Sequence, residues 1–401
     1  MKKICFVVQR YGREVNGGAE YLCKLYAEQL AGYYDVTVLT SCAVDYLTWE
    51  NEYPPGEQTV DGIKVIRYPS VLQRDMYTFV PNMQRYYAKD DKDFYDDFIW
   101  MEENGPVCPD IFRYIREHKQ EYDVFIFVCY LYYPTTFCMG EVAEKAILIP
   151  TAHDEQPIHE CEMFQAIFSA PAGIIFLTDE ERQLVHKKFN NAHIPSVTTG
   201  SGITPPDEEL VDAHTEIFHK NGLEKTDPYI VYIGRIEQGK SCGLLFDSFL
   251  EYKAKYGDKL KLVLAGKTSE HLLIPEHSDI VYAGFVSEEE KFALVKNADV
   301  LVLPSQNESL SLVVLEAMTM GVPVIVNANC EVLKGHIDKS GGGLYFYDQR
   351  ELTLAIRHLV AHSEARAALG ERGKAYMDRT YSWDTIIGKI QELIEKVCAY
   401  A

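Results

Sequence analysis

Two glutamates, Glu308 and Glu316, stand with seven residues between them at a place where both could hold a polar ligand. A buried strand is predicted over 298–303 and a helix over 312–318, which puts Glu308 in the loop and Glu316 in the helix. Were the span between them helical, the carboxylates would lie roughly 12 Å apart along the axis. Glycosidase carboxylate pairs need about 5 to 9.5 Å, so this spacing suits two contacts on a long ligand instead.

The start of the predicted helix forms an anion site between the two carboxylates. The first N–H groups of a helix have no carbonyl partner within it, and the positive end of the helix dipole favours negative charge. One carboxylate for sugar hydroxyls, N–H donors for a diphosphate and a second carboxylate for ribose hydroxyls together fit a nucleotide sugar. The alternative is that Glu308 is an acid favoured by the dipole and Glu316 a solvated helix residue.

Two cations follow another predicted strand, at 229–233. Arg235 and Lys240 leave the carboxyl end of this strand on one loop and helix start, so both side chains could converge on a diphosphate. Arginine would bind it as a planar fork and lysine as a point charge. Ordinary surface charge is the alternative interpretation.

The first half of the chain alternates short apolar strands with amphipathic helices, which predicts a doubly wound parallel sheet. Gly17 and Gly18 open the first helix and allow the backbone to approach a ligand closely, although a flexible loop before a capped helix would explain them as well. His153 follows a predicted strand at 146–151. Ligands of open α/β sheets lie beyond the carboxyl ends of the strands, so His153 is placed where a substrate would bind.

A stretch at 200–206 with two glycines and two prolines predicts a boundary between two domains. The chain has 401 residues and a net charge of −21, which argues against electrostatic capture of nucleic acid or of an anionic membrane. Its ten cysteines show no metal-binding or disulfide spacing and predict reduced thiols in a cytoplasmic enzyme. No apolar stretch reaches the roughly 18 residues of a transmembrane segment, and the charge does not indicate peripheral membrane contact.

The sequence from 304 to 318 fits the frame Pro-Ser-x-x-Glu-x-x-x-Leu-x-x-Leu-Glu-Ala-Met. With Glu308 and Glu316 in their places, this frame resembles the Glu-x7-Glu motif of retaining glycosyltransferases of the GT-B fold, family 4. The resemblance covers nearly the whole chain and is strongest over 229–330. The family often has Gly-Phe-Gly after the first glutamate, whereas this chain has Ser-Leu-Ser at 309–311. The backbone N–H groups for phosphate remain, so a difference is expected in the fit around the sugar.

The resemblance implies an α/β protein of the GT-B fold, in which two Rossmann-like doubly wound domains face each other across a cleft and the C-terminal helix crosses back to the first domain. Residues 1–204, with the helix at 382–401, would bind the acceptor, and residues 205–381 would bind the nucleotide sugar.

The implied reaction is the retaining, metal-independent transfer of a hexose-type sugar from a nucleotide-diphosphate donor, with a UDP-sugar expected. The acceptor would be a hydroxyl of a glycan or of a small molecule, as in polysaccharide biosynthesis, and no cofactor is implied. Two alternatives share the fold, namely a nucleotide-sugar epimerase and a non-catalytic nucleotide-sugar-binding protein.

The resemblance also implies a role for each candidate residue. Glu308 would contact the sugar hydroxyls, Glu316 the ribose, and His153 the donor hexose near its anomeric centre. Arg235 and Lys240 would neutralise the leaving diphosphate. The implied catalytic residues are His153, Glu308, Arg235 and Lys240, and the implied donor-binding residues are Gly17, Gly18, Arg235, Lys240, Val286, Glu308, Ser309, Leu310, Ser311, Leu312 and Glu316, with no metal ligand.

Residues 73–110 interrupt the alternation with a high density of aspartate and aromatic residues. Asp91 and Asp93 formally match the Asp-x-Asp signature of metal-dependent glycosyltransferases. They lie in an acidic insertion rather than at a strand end, which favours a solvated face. The aromatic side chains of the insertion could stack on sugar rings, although packing on helix faces is the favoured role.

Overall fold

The computed structural model describes residues 1–15, 17–214, 216–268 and 272–400. The chain divides into two compact units. Unit 1 is Met1–Ser201 with Trp383–Ala401, and unit 2 is Gly202–Ser382. Each unit is built around its own sheet, and the roles of acceptor binding and donor binding stay predictions for them.

The sheet of unit 1 has eight strands in the order β3-β4-β2-β1-β5-β6-β7-β8. All neighbours are parallel except β3 and β4, which pair antiparallel. The central strands are buried on both faces, which is why their sequences are continuous apolar runs. The strands are β1 (Lys3–Val7), β2 (Asp35–Ser41), β3 (Gly56–Val60), β4 (Ile63–Tyr68), β5 (Val124–Val128), β6 (Ala146–Ile149), β7 (Gly173–Phe176) and β8 (Ser196–Thr198).

Eight helices of unit 1 lie between these strands: α1 (Gly18–Leu30), α2 (Met76–Ala88), α3 (Phe94–Asn104), α4 (Pro109–His118), α5 (Tyr133–Cys138), α6 (Gln156–Glu160), α7 (Met163–Ser169) and α8 (Asp179–Phe189). Much of the core lies between the sheet and the helices α3, α4 and α7. Phe125 and Phe127 of β5 share one buried cluster with Trp100 of α3, Ile111 of α4 and Phe164 of α7.

The aspartate- and aromatic-rich insertion is therefore a helical part of unit 1. Tyr86 and Trp100 are buried and stack with ring centroids 5.4 Å apart, so packing accounts for these two rings. Asp93 is the N-cap of α3, and its carboxylate accepts the N–H groups of Tyr95 and Asp96 at 2.9 and 3.0 Å. Across the ranges that the structure describes, no three His, Cys, Asp or Glu side chains gather as a set of metal ligands.

Unit 2 has a fully parallel six-stranded sheet in the order β11-β10-β9-β12-β13-β14. Its strands are β9 (Tyr229–Ile233), β10 (Lys261–Ala265), β11 (Ile280–Gly284), β12 (Val300–Leu303), β13 (Val324–Asn327) and β14 (Gly343–Phe346). Its helices are α9 (Glu208–Ala213), α10 (Glu216–Lys220), α11 (Cys242–Tyr256), α12 (Glu288–Lys296), α13 (Leu312–Thr319), α14 (Glu331–Ser340), α15 (Gln349–Ala361) and α16 (Ser363–Thr380).

The last helix, α17 (Trp383–Tyr400), belongs to unit 1. It packs beside β7, where a Cβ added to Gly173 would lie 3.2 Å from both Leu393 and Val397. Lys389 reinforces this contact by donating to the carbonyl oxygen of Thr198 at 3.0 Å. The predicted α/β class and the return of the C-terminal helix to the first domain are confirmed. None of the helices in the described part of the chain has the length and apolar character needed to cross a bilayer.

Candidate active site

The loop that carries Glu308 leaves the carboxyl end of β12 and is fixed by its neighbours. Asn327, at the end of β13, donates from Nδ2 to the carbonyl oxygen of Pro304 at 2.9 Å. His336 of α14 is buried, and its Nε2 lies 2.8 Å from the carbonyl oxygen of Leu310, which it reaches as a donor. Two side chains from other elements thus hold both ends of this loop, and the helix α13 follows directly.

Glu308 forms an ion pair with Lys240. The Lys240 Nζ lies 2.8 Å from Oε1 of Glu308, and the two side chains are 23% and 15% exposed. Lys240 ends a short 3₁₀ turn, Gln238–Lys240, that follows β9. The structure therefore brings a predicted phosphate-binding cation and the predicted sugar-binding carboxylate into direct contact.

Arg235 lies on the same loop but contacts a different carboxylate. Its Nη1 is 3.2 Å from Oε1 of Glu237, and about half of the Arg235 side chain is exposed. The strand ends beside it are closely packed, because a Cβ on Gly266 would lie 1.9 Å from the carbonyl oxygen of Gly234. Gly266 is therefore required by this close approach of the two backbones. Val286, predicted to bind the donor, is half-buried just beyond β11.

Glu316 lies inside α13 and is only 4% exposed, so the alternative of a solvated helix residue is wrong. Lys291 of α12 places its Nζ 2.7 Å from Oε1 of Glu316 and 2.9 Å from Glu288. Burial raises the pKa of the Glu316 carboxyl above its usual range, although the Lys291 ammonium acts in the opposite direction. Lys291, 25 residues before Glu316, was not predicted from the sequence.

Residues 309–312 connect Glu308 to the first turn of α13. Leu310 is buried, Ser309 is half-buried, and Ser311 is the N-cap residue with φ 65° and ψ 77°. The carbonyl oxygen of Ser311 accepts the N–H groups of Val314 and Leu315. The N–H groups of the first two helical residues, Leu312 and Val313, point out of the helix end as a pair of donors.

In unit 1, His153 lies in the loop after β6. Its Nδ1 is buried, without a hydrogen-bond partner among the described residues, and lies 3.6 Å from Oε2 of Glu155. The strand β6 ends at Ile149, two residues before the predicted end, and Thr151 takes a left-handed backbone with φ 52°. The backbone therefore changes direction at Thr151, two residues before His153.

Glu181 of α8 holds this loop and was not predicted from the sequence. Its Oε1 accepts the N–H of Ala152 and its Oε2 accepts the N–H of Leu177, both at 2.6 Å. Glu181 is 1% exposed, and Thr178 caps the same helix by accepting the N–H of Glu181 at 3.1 Å. The spacing Thr178 to Glu181 matches a capping box, which is the signal that could have drawn attention to this carboxylate.

Gly17 and Gly18 begin α1 in unit 1. Gly17 is required by a close approach, because a Cβ there would lie 2.1 Å from Oε2 of Glu20 and 3.0 Å from Nη2 of Arg10. Arg10 and Glu20 form a buried ion pair with Nη2 and Oε1 2.6 Å apart. A Cβ on Gly18 would meet open space instead. The Gly-Gly pair therefore has a packing role at its first position and an exposed backbone at its second.

The family model described as Glycosyl transferases group 1 matches residues 213–376, within unit 2. A sucrose-phosphate synthase of Thermosynechococcus elongatus shares the fold over 100% of both chains, with a TM-score of 0.72 and 15% identity. The chain is a glycosyltransferase of the GT-B fold.

Two relatives and one further structure resemble this GT-B glycosyltransferase. An uncharacterized glycosyltransferase of Methanocaldococcus jannaschii is 22% identical over 96% of this chain and 95% of its own. The D-inositol 3-phosphate glycosyltransferase of Corynebacterium kroppenstedtii is 23% identical over 54% of this chain, which spans about half (51%) of that protein. Anabaena HepE, crystallised in complex with UDP-glucose, has a TM-score of 0.68 at 12% identity over 98% of this chain and 100% of its own.

Proposed function

We propose that this enzyme transfers a hexose-type sugar from a UDP-sugar to a hydroxyl of a glycan or small molecule, with retention of configuration and without a metal ion. The observation that carries the proposal is the Lys240–Glu308 ion pair, 2.8 Å long, directly before the N-terminus of α13. The N–H donors at the start of α13 and the two carboxylates lie along the segment from Glu308 to Glu316, and Lys240 contacts this segment at Glu308. The choice of UDP is supported by the fold shared with HepE, which binds UDP-glucose.

In this proposal the ion pair separates when the donor binds. The Lys240 ammonium turns to the diphosphate, and Glu308 is released to accept hydroxyl groups of the sugar. Negative charge grows on the diphosphate as its bond to the anomeric carbon breaks, and Lys240, Arg235 and the helix N-terminus stabilise that charge in place. These groups supply the electrostatic stabilisation that Mg²⁺ provides in other phosphate-transfer sites.

The acceptor hydroxyl attacks the anomeric carbon on the face from which the diphosphate departs, so the configuration is retained. One carbon–oxygen bond forms, one breaks, and the hydroxyl proton passes to an oxygen of the leaving phosphate. His153 is assigned to the hexose near the anomeric centre. Gly17 and Gly18 are assigned to the donor phosphate and the acceptor, and Val286 to the nucleobase through its backbone.

A panel of nucleotides tests the donor site directly. We expect UDP to raise the thermal midpoint and GDP, dTDP and ADP to raise it less, with the same result when a chelator is present. A ligand at about 100 times its dissociation constant adds roughly 2.7 kcal/mol to the free energy of unfolding, which is easily measured by scanning fluorimetry.

Each other outcome of this panel points elsewhere. Stabilisation that disappears with the chelator would contradict metal independence. It would favour the alternative that Asp91 and Asp93 bind a metal ion. No stabilisation by any nucleotide would refute the donor site. Release of an altered free sugar from the donor without an acceptor would favour the epimerase, and UDP-glucose binding with no turnover on any acceptor would favour the binding protein.

The buried Lys291–Glu316 pair allows binding and stability to be separated. Glu316→Gln should weaken UDP affinity about tenfold, because the ribose loses a charged acceptor. Lys291→Met should lower the free energy of unfolding by about 3 kcal/mol, because it leaves a buried carboxylate unpaired. The double variant should regain stability and keep the weak UDP affinity, as measured by calorimetry and denaturant titration. UDP affinity that follows stability through all three variants would remove Glu316 from the ribose site.

A further inference from the structure

Ser311, the N-cap residue of α13, has an unusual backbone for a serine. Its φ of 65° and ψ of 77° fall in the left-handed region, where a side chain with a Cβ is strained and glycine is not. Ordinary N-cap residues have an extended backbone instead, as Ser287 does at the start of α12 with φ −68° and ψ 170°. The chain thus has a serine at a position whose backbone conformation favours glycine.

The hydroxyl of Ser311 gives no compensating contact within the protein. The residue is 7% exposed, and its Oγ is buried without a hydrogen-bond partner among the described residues. It makes no cap hydrogen bond to the helix, whereas Ser287 Oγ accepts the N–H of Glu290 at 3.2 Å. A buried hydroxyl without a partner destabilises a folded protein, so Ser311 is unfavourable to the fold through its backbone and its side chain alike.

The surroundings of Ser311 are those of an anion site. The first N–H donors of α13 follow it directly, and Lys240 lies 2.8 Å from Glu308, three residues before it. The contact from His336 Nε2 to the Leu310 carbonyl oxygen, at 2.8 Å, fixes the residue immediately before Ser311. The hydroxyl is therefore held in place beside donors that favour negative charge, and a phosphoryl oxygen would satisfy it.

We infer that the Ser311 hydroxyl donates a hydrogen bond to a phosphoryl oxygen of the donor's diphosphate. The inference rests on the proposed function, since it names a further contact in the same donor site. It assigns to this chain a side-chain donor in addition to the backbone N–H groups of α13. No covalent step is involved, and the serine keeps its proton.

Two substitutions test this contact, Ser311→Ala and Ser311→Gly. Calorimetry with UDP should show affinity about tenfold lower in both, because one hydrogen bond to a charged group is lost. Without nucleotide, the thermal midpoint should not fall in Ser311→Ala, and it should rise in Ser311→Gly as the left-handed strain is relieved. Ser287→Ala provides the matched control for the stability measurement, because its hydroxyl is satisfied and its loss should lower the midpoint.

The outcomes distinguish this inference from the proposed function. If the wild-type protein and both Ser311 variants bind UDP equally well, the inference is overturned and the proposed function is not. A loss seen with UDP-glucose but not with UDP would place the hydroxyl against the sugar and overturn the phosphate contact. Wild-type protein that binds none of UDP, GDP, dTDP and ADP would overturn the proposed function, and the inference with it.

Discussion

Lys240→Met should reduce kcat by about 10²–10³-fold, the largest effect expected from a single substitution in unit 2. The ammonium contacts the loop before α13, at 2.8 Å from Glu308. Removing a preorganised charge that stabilises a leaving group typically costs this much, because the charge acts most strongly in the transition state. The measurement is steady-state transfer from a UDP-sugar, with UDP affinity determined separately by calorimetry.

Lys261→Met is the matched control for this variant. Lys261 begins β10 at the opposite, amino end of the sheet, and its Nζ lies 2.7 Å from Asp227. The two lysine–carboxylate pairs have similar lengths and similar exposure. Losing the pair should therefore cost a similar free energy of unfolding in both variants. We expect Lys261→Met to keep kcat while lowering stability slightly. Normal turnover in Lys240→Met would exclude Lys240 from the reaction.

The sheets could be predicted from sequence because parallel strands buried on both faces are continuous apolar runs. Residues 124–128 and 300–303 are of this kind, and the segments at their carboxyl ends could be placed with them. The two edge strands of unit 1 were missed for the same reason. β3, Gly-Glu-Gln-Thr-Val, is exposed and polar, and β8 has only three residues, so neither carries a burial pattern.

Only those features of the site that depend on neighbouring residues in the sequence could be predicted. The positions of Glu308 in a loop and of Glu316 in a helix follow from the neighbouring periodicity. Their lysine partners do not, because Lys240 is 68 residues from Glu308 and the pairing depends on how β9 and β12 lie side by side. The left-handed backbone of Ser311 was also unpredictable, since serine rarely adopts it. The roles assigned to all these residues stay predictions.

Glu181→Gln should lower kcat about a hundredfold above pH 8 while leaving UDP affinity unchanged. The carboxylate accepts the N–H groups of Ala152 and Leu177 at 2.6 Å each, and an amide can accept only one of them while its NH₂ group opposes the other. The residues before His153 would then shift, and a misplacement of about 1 Å costs about 10²-fold in rate. Glu181 acts as a positioning residue here, because its oxygens contact the backbone.

A double-substitution cycle tests whether this effect passes through His153. His153→Ala should lower kcat with UDP affinity largely intact, and adding Glu181→Gln to it should cause little further loss, because both changes remove the same contribution. Glu180→Gln, which alters the adjacent carboxylate in the first turn of α8, should leave kcat unchanged. Losses that multiply in the double variant would show that Glu181 acts on turnover independently of His153.

The pH dependence of Glu181→Gln separates positioning from simple stabilisation. Burial raises the pKa of the Glu181 carboxyl from 4.5 to about 8, against the lowering effect of the two N–H donors. From about pH 4.5 to 8 the folded chain therefore holds a proton that the unfolded chain has released, so the contribution of Glu181 to the free energy of unfolding falls as pH rises. Glutamine lacks this titration and should lose less stability over the same range.

Turnover should follow the opposite course with pH. The ionised carboxylate is the form that accepts both N–H groups strongly, and glutamine resembles the protonated acid. The ratio of wild-type to Glu181→Gln kcat should therefore be small near pH 6 and grow as pH rises through about 8, whereas the difference in their thermal midpoints should shift in favour of the variant from about pH 4.5 to 8. If the carboxylate had a purely structural role, kcat and the thermal midpoint would change in the same direction as pH rises. Opposite slopes would show that the protein keeps a destabilising buried charge because that charge positions the loop before His153.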